Sequence, residues 1–229
     1  MSSLAIITAR GGSKRIPRKN IKEFCGKPII AYSIEAALKS GVFDEVMVST
    51  DDTEIAEIAK KYGAQVPFMR STETSNDFAT TMDVLKEVVG NYKDKLGKSF
   101  DYICCIYPTA PFVTANIMKN VFNLLKEGNA DQVVPVVKFS FPPQRCFVID
   151  NDGALSYKWP ENKNTRSQDL EPLYHDAGQF YFYKSSIFYE NKTDIKTIPY
   201  VLSDLEVQDI DNEEDWEIAE IKYQLLVQR

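Results

Sequence analysis

A single histidine and four cysteines in 229 residues leave little for a disulfide framework or a CxxC motif to use. Cys25, Cys104, Cys105 and Cys146 form no such pair, and Cys104 and Cys105 sit in an apolar run as small core residues. The chain reads as reduced and cytoplasmic. No apolar run is long enough to span a bilayer, and the first residues become charged too quickly for a secretory signal. Excess positive charge is also missing. The net charge of −6 argues against a nucleic-acid surface, which leans on broad basic patches. Two nucleotide signatures are absent as well, GxxxxGK[ST] and GxGxxG.

What is present is a core-forming composition, 44% apolar and 26% charged, in a strand–helix rhythm. Leu4–Thr8, Glu45–Thr50, Tyr102–Tyr107 and Gln132–Lys138 read as strands buried on both faces. Helices are expected from Pro28 to Ser40, from Asp51 or Asp52 to Tyr62, over Thr80–Tyr92 and over Ala115–Glu127. A short strand is expected at Gln65–Met69. The rhythm breaks after Phe139. Asn151-Asp152-Gly153 marks a hairpin, 158–176 is polar and irregular, and strands return at Gln179–Lys184 and Thr197–Leu202. Asn212 caps a last helix. The expected fold is α/β, one domain over 1–229, with a mostly parallel twisted sheet covered by helices and an insertion near 139–176.

Charge is concentrated in two places. Residues 10–27 carry seven cations (Arg10, Lys14, Arg15, Arg18, Lys19, Lys22, Lys27) against Glu23 alone. With Gly11 and Gly12 they follow the carboxyl end of the first strand, where open α/β sheets bind ligands. A compact polyanion such as a nucleoside triphosphate fits this loop, and a solvated basic turn is the alternative. Residues 203–220 carry nine acids and no base. Glu213, Glu214 and Asp215 suit a helix N-terminus. Asp209 and Asp211 flank Ile210 in an extended segment, so both carboxylates face one side, as Mg²⁺ requires when substrate oxygens complete its shell.

Three weaker signals follow. Asn76–Thr81, after Arg70, sets hydroxyls including Thr80 and Thr81 at a helix start, as ligand grip or as caps. Tyr107–Pro111 should open onto the same sheet edge, or form a Pro-ordered turn. Thr165–Phe182 holds Arg166, whose planar fork matches a carboxylate, His175 beside Asp176, and Gln179. His175 is an acid–base group or a structural hydrogen-bonder.

In order, ARGGSKRIPRKNI at 9–21, VMVSTDDTEIAEIAKKYGA at 46–64, RSTETSNDFATT at 70–81, YPTAPF at 107–112 and DIDNEEDWEIAE at 209–220 resemble the nonulosonate cytidylyltransferases, which activate sialic acid and its bacterial relatives as CMP-sugars. The resemblance spans nearly the whole chain. It implies a Rossmann-like nucleotidyltransferase fold, a homodimer reached through the insertion, and attack of a sugar's anomeric hydroxyl on the α-phosphorus of CTP with loss of pyrophosphate. It implies Arg10 and Lys19 as phosphate cations and Asn20 beside them. Thr8, Ala9, Gly11, Arg70, Thr80 and Thr81 fall around the cytidine. Asp209 and Asp211 become the Mg²⁺ carboxylates, with Asp209 a candidate proton acceptor. Tyr107, Arg166, His175 and Gln179 fall near the sugar. Tyr107 and Val113 stand where sialic acid enzymes carry glutamine and arginine, which implies a less hydroxylated sugar. YPTAPF with HDAGQFYF resembles the branch acting on pseudaminic acid, used in flagellin glycosylation. Sialic, legionaminic and ketodeoxyoctonic acids remain alternatives, as does a non-catalytic CTP-binding subunit. Phe139, Phe141 and Phe147 offer an apolar patch for the dimer.

Overall fold

A computed structural model describes residues 1–190 and 192–228. Its first strand, β1 (Ser3–Thr8), is buried on both faces, and it pairs in parallel with both β4 (Glu45–Ser49) and β5 (Tyr102–Ile106). Between β1 and β4 lie a small hairpin, β2 (Glu23–Phe24) with β3 (Lys27–Pro28), and helix α1 (Ile29–Ser40). Pro28 is the residue before α1, not its first turn, and Gly41 ends the helix with φ 65. Helix α2 (Thr53–Lys61) starts at Asp52, whose carboxylate accepts from the Glu54 and Ile55 amides. The expected strand at 65–69 reduces to one bridge, Met47 to Gln65.

Helices α3 (Thr72–Ser75) and α4 (Thr81–Leu96) precede β5, and α5 (Ala115–Glu127) leads to β6 (Gln132–Lys138). The chain then leaves the sheet for a hairpin of β7 (Phe147–Ile149) and β8 (Leu155–Tyr157). It returns through β9 (Tyr174–Asp176), antiparallel to β6, in a stretch that sequence alone leaves irregular. β10 (Phe180–Lys184), α6 (Ser186–Tyr189), β11 (Thr197–Leu202) and α7 (Glu213–Val227) complete the order.

Along the sheet the strands run β11-β6-β10-β5-β1-β4. β10 inserts antiparallel between β5 and β6, while the other five point one way. That makes the α/β sheet mostly parallel, as the rhythm implies. Alternation splits each strand between two cores. Ala5, Ile7 and Val48 pack with Ile30 and Ile34 of α1 on one face. Leu4, Ile6 and Met47 pack with Leu85 and Val88 of α4 on the other. A third cluster positions the site. Ile16 from the basic loop and Ile210 from the acidic segment are both buried, with Phe24, Tyr32, Phe112 and Trp216. Phe24 meets Trp216 edge-on at 5.5 Å and Tyr223 at 5.5 Å. Burying several such side chains stabilises by roughly 1.5–3 kcal/mol each, enough to clamp two segments about 190 residues apart in sequence.

Candidate active site

The two charged segments meet. The Lys19 ammonium donates to the Ile210 carbonyl oxygen at 2.6 Å and lies 3.8 Å from the Asp211 carboxylate. Arg15 donates to the same carboxylate at 2.7 Å. Lys22 pairs with Glu213 and covers the Trp216 ring at 4.6 Å. Burial lowers the pKa of Lys19, and the carboxylates of Asp211 and Asp209 oppose that shift. Asp209 is pushed up by partial burial and by the like charge of Asp211. Buried Ile210 between them keeps both carboxylates off the core side.

Arg15 and Lys19, with Arg10 and Lys14, line a cleft of ≈ 710 Å³ beyond the carboxyl end of β1. Of the residues singled out from the sequence, Thr8, Arg10, Lys14, Arg15, Lys19, Asn20, Arg70, Thr81 and Tyr107 line it, whereas Asp209 and Asp211 do not, and Asp211 borders it through Arg15 and Lys19. Asn20, almost fully buried, holds the loop by donating to the Arg10 carbonyl oxygen at 2.8 Å. Arg70 lies under the cleft, donating to the Ser49 hydroxyl at 3.0 Å and the Ser49 carbonyl oxygen at 2.6 Å. Burial lowers its pKa, against the carboxylates of Asp51 and Glu87.

Other residues have structural partners. Ala9 is wholly buried, its amide donating to the Ser49 carbonyl oxygen at 2.9 Å. The Gly11 amide donates to Asp51 at 2.9 Å, and a Cβ there would stand 2.8 Å from an Asp52 carboxylate oxygen. Close packing against Asp52 therefore requires glycine at 11. Arg18 has left-handed φ 57 and forks onto Asp52 and Glu54, holding the Asp52 carboxyl at about 2. Thr80 serves α4, in a reciprocal cap with Asp83. Glu213 and Asp215 occupy the first turn of α7. Asp215 accepts from the Asp211 and Asn212 amides at 2.9 and 3.1 Å and so serves the helix start, while the Asp211 carboxylate faces Arg15 and Lys19.

The wall opposite the cations is hydroxylic. The Tyr107 hydroxyl lies 3.2 Å from that of Thr81, and its ring meets Tyr181 at 5.6 Å. Tyr181 donates to both oxygens of Asp176, at 3.0 and 2.9 Å. Sequence reading singled out Tyr107 but missed Tyr181, whose only signal is its alternation within β10. Phe112 and Val113 are buried and do not line the cleft, so the motif's contrast with sialic acid enzymes narrows to Tyr107.

Three residues expected near a sugar lie elsewhere in the monomer. Gln179 is buried, donating to the Glu206 carbonyl oxygen, and ties the start of β10 to the turn before the acids. Its other amide atom has no partner among the described residues. Arg166 pairs with Asp169 at 2.9 Å, and the ring of exposed His175 packs at a tilt of 54° against Phe139, centroids 4.7 Å apart. Arg166 belongs to the segment that leaves the sheet and His175 to β9, where the chain returns to it, and neither lines the cleft.

Among the described residues no three His, Cys, Asp or Glu side chains converge. Asp209, raised by partial burial and then by the charge of Asp211, and Asp211 itself fit a hard cation that takes its remaining ligands from phosphate and water.

Comparison with known proteins places the chain in a family. The cytidylyltransferase family profile matches residues 4–224. A pseudaminic acid cytidylyltransferase of Campylobacter jejuni subsp. jejuni serotype O:23/36 (strain 81-176) is 41% identical over 98% of this chain and 97% of its own. A CMP-N,N'-diacetyllegionaminic acid synthase of Legionella pneumophila subsp. pneumophila is 34% identical over 96% and 95%. In fold, a CMP:2-keto-3-deoxy-manno-octonic acid synthetase solved with CTP superposes with TM-score 0.71 at 18% identity, over 100% of this chain and 99% of that one. With a profile match across almost its full length and relatives of this similarity, the chain belongs to the cytidylyltransferase family and is a nucleotidyltransferase enzyme.

Proposed function

We propose that the enzyme transfers CMP from CTP to the anomeric hydroxyl of a nonulosonic acid, pseudaminic acid before the others, releasing pyrophosphate. The observation that carries this reading is the contact of the acidic segment with two cations of the cleft, Asp211 lying 2.7 Å from Arg15 and 3.8 Å from Lys19. Phosphoryl transfer asks the protein mainly for positioning and charge stabilisation. Arg10, Lys14 and Lys19 bind the triphosphate and offset charge on the departing pyrophosphate. Arg70 braces the nucleotide end from below, and Thr81 faces it. Tyr107, backed by Tyr181 and Asp176, walls the acceptor side. Asp209 and Asp211 would hold Mg²⁺, which when bound polarises a phosphate oxygen and lowers the pKa of the attacking hydroxyl.

Pseudaminic acid is favoured because Tyr107 stands in the cleft wall where sialic acid enzymes carry a glutamine, and because the most similar relative described above bears that substrate in its name. The test is pyrophosphate release with CTP and Mg²⁺ across pseudaminic, legionaminic, sialic and ketodeoxyoctonic acids. Pseudaminic acid should give the highest kcat/KM, by at least tenfold. Faster turnover of another sugar overturns the substrate assignment. CTP binding without release from any of them overturns catalysis.

The enzyme is proposed to be a cytoplasmic homodimer. No helix among the described residues is long and apolar enough to cross a membrane. Outside the sheet, Phe141 (85% exposed), Ile149 (72%) and Leu155 (61%) form apolar surface of the kind an interface covers. Sedimentation velocity should give twice the chain mass at micromolar concentration. A monomer there contradicts the dimer.

A further inference from the structure

Asp77 sits among the cations just assigned to phosphate. One carboxylate oxygen accepts from Arg10 at 2.9 Å, and the other accepts from Lys14 at 2.5 Å. The Arg10 guanidinium also donates to the Asn76 carbonyl oxygen at 3.1 Å. Arg10, Lys14 and Asp77 all line the cleft. Two oxygens of one group, each on a different cation, reproduce what a phosphate would present there. From this geometry we infer that Asp77 is an affinity-setting residue of the nucleotide site. Its carboxylate occupies the phosphate cations when no nucleotide is bound, and it competes with both incoming triphosphate and departing pyrophosphate.

The same ion pairs could instead let Asp77 orient Arg10 for catalysis. How the carboxylates are held separates the two roles. Asp52 is fixed by the Glu54 and Ile55 amides, and Asp215 by the Asp211 and Asn212 amides, so each can position what it touches. Among the described residues Asp77 accepts only from Arg10 and Lys14, the groups it neutralises. It lies in the short loop between α3 and α4. Asn76 shapes that loop by accepting from the Phe78 and Ala79 amides at 2.7 and 3.0 Å. Phe78 projects into solvent, 93% exposed. Nothing in that loop fixes the carboxylate independently of the cations, so a more highly charged anion can take its place.

Competition of this kind keeps the site from closing tightly on its product. Pyrophosphate meets the same cations as CTP, and Asp77 is the group that replaces it as it leaves. Arg10 and Asp77 are half-exposed and Lys14 mostly exposed, so solvent screens the pairs and the expected effect is modest, about threefold to tenfold in affinity.

The inference rests on the cytidylyltransferase reading, and calorimetric titration keeps the two separable. CTP, inorganic pyrophosphate and cytidine are each titrated into wild type, Asp77→Asn and Asp77→Glu. Asp77→Asn should bind CTP and pyrophosphate about threefold to tenfold tighter than wild type, with cytidine affinity unchanged. Asp77→Glu, which keeps the charge, should match wild type. Equal or weaker CTP binding by Asp77→Asn overturns the inference while leaving the family reading intact. So does an equal gain for cytidine, since cytidine carries no phosphate. Failure of wild type to bind CTP removes the nucleotide site, and the role of Asp77 with it.

Discussion

We expect Lys19→Ala to lower kcat by about 10²–10³ at saturating CTP, the usual cost of removing a preorganised charge that acts on developing negative charge. The geometry explains why the loss should fall on kcat. Lys19 is mostly buried, its side chain 20% exposed, and fixed by the Ile210 carbonyl oxygen at 2.6 Å. A charge held in place before reaction needs no reorganisation during it. Burial depresses the Lys19 pKa, but the carboxylates of Asp211 and Asp209 resist that shift and favour the charged form. The substitution also removes the donor to Ile210, and an unpaired buried carbonyl costs about 1–3 kcal/mol. Thermal unfolding must therefore accompany the kinetics. A folded Lys19→Ala protein with the expected kcat loss supports the role. Lys19→Arg, which restores charge with different geometry, should recover only part of it. A loss below tenfold in folded Lys19→Ala with CTP saturating contradicts the assignment.

Lys19 was legible in the sequence for a simple reason. A local charge of +6 in a chain of net −6 has few structural uses, and it follows a buried strand. The strand–helix order was legible because apolar runs of five to seven residues, bounded by caps such as Asp52 and Asn212, are local signals. The antiparallel insertion of β10 was not, because direction is set by partners far away in sequence. The two-residue hairpin of β2 and β3 lies below the length at which periodicity shows. β9 was hidden because its three residues are exposed and polar in part, and only pairing with Val136–Lys138 makes them a strand.

Within the site, residue type was easier to read than partner. Gly11 looked like a close approach to phosphate, yet its missing Cβ makes room for Asp52. Thr80 looked like a ligand hydroxyl, yet it and Asp83 satisfy each other at the start of α4. Gln179 is expected near the sugar, yet it turns inward at the start of β10 and donates to the Glu206 carbonyl oxygen. Asp77 drew no notice in a sequence with 33 acids, because its meaning comes from Arg10 and Lys14, over sixty residues away. In each case the chemistry of the side chain was apparent, and the neighbour that uses it was supplied only by the fold.

The aspartate pair gives the second large effect. Asp211→Ala should reduce Mg²⁺-dependent turnover by at least 10², and move half-activation to at least tenfold higher Mg²⁺. Asp209→Asn, close to isosteric, should do the same with less disturbance of packing. Two other readings of these acids make different predictions. If they only neutralise Arg15 and Lys19, at 2.7 and 3.8 Å from Asp211, the variants lose activity but keep the wild-type Mg²⁺ midpoint. If they only favour the N-terminus of α7, the loss is one of stability, about 0.3–1 kcal/mol, with turnover preserved. Glu213→Gln provides the matched control. Glu213 lies in the first turn of α7 and pairs with Lys22, so it shares the helix-end role without facing the cleft cations Arg15 and Lys19. Its Mg²⁺ titration should overlay wild type. The metal reading predicts a midpoint shift in Asp209→Asn and Asp211→Ala but not in Glu213→Gln. Unchanged Mg²⁺ titrations in the first two would assign the carboxylates to charge balance and leave the metal without ligands from this chain.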